Sequence, residues 1–221
     1  LIWLEADQLI RARTGGKKSI DDFAHLFFGM RDGDWGELTF ELKDVAATLN
    51  RVTPYDWEKF LDTRLNHPGQ PAPIGGINAG GYKLVWKDEP NAYDKQRMAD
   101  AKALSLTWSI GVTIDKDAKV IATQWDSPAF NAGVVPGSKI LAVGGTAYDQ
   151  DGIKAAITAA KTGAPLVLLI QRGDHFESVT IDYRGGLKYP WLERAAAGTA
   201  PTGLDLLLEP RRPAAPTKSV K

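Results

Sequence analysis

The stretch Trp108-Ser-Ile-Gly-Val112, followed by Asp126-Ser-Pro-Ala-Phe-Asn-Ala-Gly-Val-Val-Pro-Gly-Ser-Lys-Ile-Leu-Ala-Val-Gly-Gly145, decides how this chain is read. Residues 140–143 form a short apolar run stopped by Gly144 and Gly145, the pattern of a buried strand. Upstream, 108–114 and 120–125 read as strands flanking the turn Asp115-Lys116-Asp117-Ala118. Downstream, 151–161 has the spacing of an amphipathic helix closed by Thr162 and Gly163. Residues 166–171 and 178–183 read as strands around Arg172-Gly173-Asp174. Short strands in this number with one good helix predict a small, partly open β-barrel.

Toward the N-terminus, 91–104 reads as a polar helix or connector, and Tyr82-Lys-Leu-Val-Trp-Lys87 alternates like a strand. Residues 67–81 are rich in Pro and Gly and have the composition of a linker. Before them the chain reads as helical. Leu1, Ile2, Leu4, Leu9 and Ile10 form an apolar stripe ended by Gly15-Gly16. Ser19 to Asp22 resembles a capping box with Asp in place of Glu, opening a helix with Phe23, Leu26 and Phe27 on one face. Residues 38–42 either form a short strand or lead into a helix over 44–49. Thr53 is placed as a cap with Pro54 at the first helical position, before a helix carrying Trp57, Phe60, Leu61 and Leu65. A chain that opens in mid-helix without a cap is expected to be a piece of a longer protein. The fold class is α+β: a helical part (1–66), a linker (67–81), a β-rich domain (82–185) and a tail (186–221).

Lys+Arg and Asp+Glu both number 27, so the formal net charge is zero. Such a chain exerts no long-range pull on phosphate backbones or anionic lipid, and neither nucleic acid nor a membrane surface is the expected partner. No apolar run approaches the roughly 20 residues of a membrane span. With no cysteine there is no disulfide, thiolate nucleophile or thiolate metal site. His25, His67 and His175 lack the His-Glu-x-x-His spacing that sets two zinc ligands and a base on one helical face. No Gly-x-Ser-x-Gly elbow or phosphate-cradling glycine loop is present. The sequence therefore assigns no catalytic and no metal-binding residue.

Ser127-Pro128-Ala129, Ala132-Gly133-Val134 and the spacing of Pro136, Gly137, Ile140, Val143 and Gly145 resemble the core of a bacterial PDZ domain. Ser109-Ile110-Gly111-Val112 stands where that family has its carboxylate-binding loop, with Ser109 in place of the first glycine. The resemblance implies a site for a peptide C-terminus. The N–H groups of Ile110 and Gly111 would face the carboxylate, and strand 110–114 would offer its open edge to the peptide. Ile153 and Ile157, four apart on one helix face, would line the groove with Trp108, Ile110 and Val112. Two other arrangements remain open: these apolar residues fill the barrel core, or 185–194 folds back over the edge.

Three further stretches widen the resemblance: Leu-Ile-Trp-Leu-Glu-Ala-Asp at 1–7, Thr-Pro-Tyr-Asp-Trp at 53–57, and Tyr-Arg-Gly-Gly-Leu-Lys-Tyr-Pro-Trp-Leu-Glu-Arg at 183–194. With Gly-Gly-Lys-Lys-Ser-Ile-Asp-Asp-Phe at 15–23, they are similar to the C-terminal half of the glycyl aminopeptidase family. These are zinc metallopeptidases with a thermolysin-like catalytic domain followed by a PDZ domain. The resemblance implies that 1–65 completes the helical side of the catalytic domain. It also implies that zinc, base and nucleophilic water belong to a longer parent and that this chain alone is inactive. Its implied partners are peptide or protein C-termini and the upstream catalytic domain, and its implied location is outside the cytoplasm of a bacterium. The rival expectations are a non-enzymatic PDZ adaptor for protein C-termini and, further off, a PDZ-bearing serine or site-two-type protease.

Overall fold

The computed structural model describes residues 1–29, 33, 34, 36, 37, 39–67, 69 and 71–210. In chain order the first elements are α1 (Ile2–Thr14), α2 (Ile20–Phe28), α3 (Leu42–Val52), α4 (Trp57–Leu65) and α5 (Gly75–Ala79). Next come β1 (Tyr82–Lys87), α6 (Ala92–Ala101), β2 (Ala103–Leu106), β3 (Val112–Asp115), β4 (Val120–Thr123) and α7 (Pro128–Asn131). The remainder are β5 (Lys139–Val143), β6 (Thr146–Ala147), α8 (Gln150–Ala160), β7 (Leu166–Arg172), β8 (His175–Ile181), β9 (Tyr189–Arg194) and α9 (Gly203–Leu208). The fold is α+β. The chain forms two compact units: unit 1 is Leu1–Lys83 with Glu193 onward, and unit 2 is Leu84–Leu192. Strands β1 and β9 pair in a two-stranded ribbon along which the chain leaves unit 1 and returns to it.

Unit 1 is helical because its amphipathic segments carry strong ends. Gly15 closes α1 in the left-handed conformation (φ 60°) and donates its N–H to the Arg11 carbonyl. Ser19 and Asp22 make both bonds of a capping box at the start of α2. Ala6, Ile10, Phe23, Phe27, Leu49, Trp57, Phe60 and Leu61 fill one core. Asp7 is fully buried there and is satisfied: it accepts from Arg11 Nε (2.7 Å), the Ile20 N–H (3.0 Å) and Gln8 Nε2 (3.0 Å). Arg64 on α4 holds Glu5 on α1 through two bonds of 2.8 and 2.6 Å. That bonding, set against a smaller cost of burial, keeps the Glu5 carboxyl below its ordinary range.

Three boundaries differ from the sequence reading. Thr53 ends α3, and the cap of α4 is Asp56, whose carboxylate accepts the Lys59 N–H. Residues 67–81 are not only a linker, since they contain α5, which packs on α1 within unit 1. A Cβ on Gly76 would stand 2.5 Å from the Glu5 nitrogen, so glycine is what lets the two backbones touch. The tail from 186 supplies β9 and α9, and its end beyond 210 lies outside the described residues. Of the expected alternation over 38–42, Leu38 also lies outside them, and Leu42 begins α3.

Unit 2 is built from two small antiparallel sheets, one in the order β2-β3-β4 and one in the order β6-β5-β7-β8. They are stitched into a partly open barrel where 118–120 meets 138–140. There the Val120 N–H donates to Ser138, the Ile140 N–H to Ala118 and the Gly137 N–H to Val120, all at 2.8 Å. Helix α8 covers the barrel with Ile153, Ile157 and Ala160 fully buried. Residues 108–111, expected as the start of a strand, form the turn that leads into β3.

Candidate functional site

The residues singled out in the sequence meet in unit 2, but in a different arrangement. Ile110, Val112, Ile153 and Ile157 belong to one buried cluster, and Leu104 and Leu106 of β2 lie in it with them. Strand β3 has no open edge. It pairs with β4 on one side and with β2 on the other, in the register Ala103↔Asp115, Leu104↔Ile114, Ser105↔Thr113 and Leu106↔Val112. The edge expected to receive a peptide therefore holds the chain's own β2. Residues 185–194, the other expected occupant, instead run into β9 and its pairing with β1.

The loop between β2 and β3 treats the end of β2 as a ligand. The N–H groups of Ser109 (3.1 Å) and Gly111 (3.0 Å) both donate to the Leu106 carbonyl. The expected donor pair was Ile110 and Gly111; Gly111 donates as expected, and Ser109 stands in the place of Ile110. Gly111 sits at φ 89°, a left-handed value that favours glycine, and a Cβ there would collide with the Ser127 side chain. The Ile110 carbonyl accepts from Ala129, and the Gly111 carbonyl from Gln124, so the loop is pinned to the start of α7 and the end of β4. Ser109 is buried, and its hydroxyl accepts the Lys188 N–H at 3.1 Å. Trp108 does not line the groove. It is half exposed and lies against Trp86, with ring centroids 5.4 Å apart.

β2 thus has the antiparallel pairing, the alternate apolar side chains and the terminal carbonyl capture by which a PDZ domain takes a peptide strand. Burying Leu104 and Leu106 contributes about 1.5–3 kcal/mol each, and each bond to the Leu106 carbonyl about 0.5–1.5 kcal/mol. The total, about 4–9 kcal/mol, is of the order of the −8 kcal/mol of a micromolar ligand.

β2 was missed in the sequence although a signal was present. Leu104-Ser105-Leu106 alternates, but it follows the polar α6 directly, through Lys102 in the left-handed conformation (φ 49°). Beside β2 lies a cavity of about 640 Å³ lined by Met98, Lys102, Leu104, Lys116, Lys154 and Tyr189 among others. Burial, with Asp94 second, raises the Tyr189 phenol and keeps it neutral.

The three histidines stand apart. The Asp21 carbonyl lies 2.8 Å from His25 Nδ1, and His67 and His175 are exposed. Among the described residues no group of three or more His, Cys, Asp or Glu is placed to hold a metal ion, and no helix is long and apolar enough to cross a membrane.

No protein-family model matches the chain, and no curated protein sequence matches it. Solved structures do. An aminopeptidase N family protein from Idiomarina loihiensis superposes over 95% of this chain with a TM-score of 0.59 at 15% identity. The chain spans 35% of that protein, and the two share a fold. A PDZ domain of HtrA3 bound to a phage-derived ligand aligns over 52% of this chain and 94% of its own length, at 17% identity and a TM-score of 0.26. A PDZ domain protein from Parabacteroides distasonis aligns over 72% of this chain and 41% of its own length, at 13% identity and a TM-score of 0.27. The PDZ-like character of unit 2 rests on its own strand and helix order and on the stretch 108–145. The strand and helix order and that stretch together make unit 2 a PDZ-like region.

Proposed function

We infer that this chain is the non-catalytic C-terminal region of a zinc-dependent aminopeptidase. The observation that carries the reading is the fold shared with an aminopeptidase N family protein over 95% of the chain, which amounts to 35% of that protein. Unit 1 supports it with an uncovered aromatic face. Trp3 stacks on Phe23, Phe23 on Phe27, and Phe27 meets Phe28 and Phe40 edge-on. Trp3, Phe28 and Phe40 are 47%, 75% and 59% exposed, a surface suited to packing against a catalytic domain. Zinc and the catalytic groups would belong to that upstream domain, in a protein exported by a bacterium. In this reading the groove of unit 2 rests filled by β2. The rival adaptor for protein C-termini needs the open β3 edge that β2 occupies.

The test compares the product of the full gene with the 221-residue chain, reading zinc content and hydrolysis of amino-acid anilides. The full product should hold one zinc per chain and lose its activity to a chelator, while the chain alone has neither zinc nor activity. A gene encoding no further residues, a full product without zinc, or a zinc-bearing and active 221-residue chain would overturn the reading.

A further inference from the structure

We propose that α6 and β2 form a displaceable strap: β2 is a built-in competitor that leaves the groove when an extended peptide ending in Leu-x-Leu takes its place. The inference rests on the seat geometry in unit 2 and stands or falls independently of any zinc chemistry. The seat accepts a strand antiparallel to β3, with one apolar side chain beside Val112 and another beside Ile114, and its loop captures the final carbonyl. A free carboxylate at that point would offer the Ser109 and Gly111 N–H groups a charged acceptor, which hydrogen-bonds more strongly than the neutral carbonyl of Leu106.

The strap is built to come away more easily than the rest of the barrel. Helix α6 has no buried residue along its ten positions. Its apolar anchor is Met98, partly buried against the core. The Ser105 N–H donates to the Met98 sulfur at 3.3 Å, a contact inside the strap that joins β2 to α6 and does not hold either to the barrel. The Asn91 amide ties the start of the helix to the Pro190 carbonyl at 3.0 Å. A cavity of about 640 Å³ is lined by Met98, Lys102 and Leu104 of the strap and by Lys116, Lys154 and Tyr189 of the rest of unit 2, so the strap borders space along part of its length. Lys102 joins helix to strand in the left-handed region, a conformation that non-glycine residues leave readily when freed. β2 spans four residues, whereas β7 spans seven and is paired on both sides, by β5 and β8.

The tether explains why the groove rests closed. A segment joined by a short linker has an effective concentration of the order of millimolar. Against a free peptide at micromolar concentration and equal intrinsic affinity, the tethered strand is favoured by about a thousandfold.

Two measurements on the full chain decide the matter. The first is amide hydrogen exchange of the wild type, comparing Leu104 and Leu106, the β2 amides on the β3 side, with the amides of β7. A strap opening independently gives β2 amides that exchange at least about 100-fold faster than those of β7. Equal protection of the two strands means that β2 leaves only on unfolding, and overturns the proposal. The second is a titration of a labelled peptide ending in Ala-Leu-Ser-Leu with a free carboxylate, against wild type and the double variant Leu104→Ala, Leu106→Ala. The variant should bind at least about tenfold more tightly than wild type, and a control peptide with Asp at both Leu positions should bind neither. Equal binding to wild type and a folded variant, or binding of the Asp peptide, overturns it. If the variant does not fold, the exchange measurement alone decides.

Discussion

Replacing Gly111 with Ala tests the loop on which the self-filled groove depends, and Gly145 supplies its control. The two glycines have nearly the same backbone, φ 89° and 88°. A Cβ at either pays the left-handed penalty, about 1–2 kcal/mol. Their surroundings differ. At Gly145 nothing lies within 4 Å of the added carbon, whereas at Gly111 it would run into the side chain of Ser127. Ser127 cannot step aside at no cost, because it is buried and its hydroxyl accepts the Phe130 N–H at the start of α7. Overpacking adds about 1–3 kcal/mol, and disturbing the cap about 1 kcal/mol more. Gly111→Ala should therefore cost about 3–6 kcal/mol and Gly145→Ala about 1–2 kcal/mol. The assay is native-state hydrogen exchange at the β7 amides, which lie in the core of unit 2 and report on that unit alone. The two variants should differ there by roughly 30- to 1000-fold in protection. Equal protection would show that the loop is not pressed against Ser127, and the carbonyl capture of Leu106 would lose its structural basis.

Unit 1 makes two further predictions. Trp57 is fully buried and its indole N–H donates to the Thr53 carbonyl at 2.9 Å, so Trp57→Ala should destabilise this unit by about 3–5 kcal/mol. β7 protection in unit 2 should stay unchanged, and an equal loss in both units would contradict their separate cores. The Asp205 carboxyl is lowered to about 2, first by the Thr202 N–H, then by the Tyr82 hydroxyl and further by Arg194. A depressed carboxyl contributes stability above its ordinary value of 3.8 and loses it as the pH falls through about 2. Thermal melts of unit 1 should decline over that window, and Asp205→Asn should flatten the decline; a variant melting with the wild-type pH profile would refute the assignment.

Where the sequence was legible, the signal was local. The Gly15 stop and the Ser19–Asp22 capping box each need only a few consecutive residues, and both formed as read. Thr53-Pro-Tyr-Asp56 misled because it holds two overlapping caps. Asp56 has the acceptor within reach of Lys59, while Thr53 is needed at the end of α3 and as the acceptor for Trp57. The Pro/Gly stretch misled for a different reason. Glycine serves a flexible linker and a close helix contact equally well, and only the position of Glu5 shows that Gly76 serves the second.

The groove was half legible, and which half follows from what a sequence encodes. Alternation and helical spacing specify which side chains face inward, and Ile110, Val112, Ile153 and Ile157 do share one buried cluster. They do not specify whether the backbone edge beside those side chains is paired, because pairing depends on where another segment lies. Here that segment is only five residues upstream of the seat. A turn of Thr107–Gly111 is short enough to fold β2 straight back onto β3, and Gly111 supplies the left-handed φ at its end. The residues that suit the loop to a ligand's carboxylate are thus the same ones that let it seize the preceding carbonyl. Whenever such a loop directly follows a Leu-x-Leu alternation, the chain itself is the nearest candidate ligand, and any peptide in trans must be weighed against it.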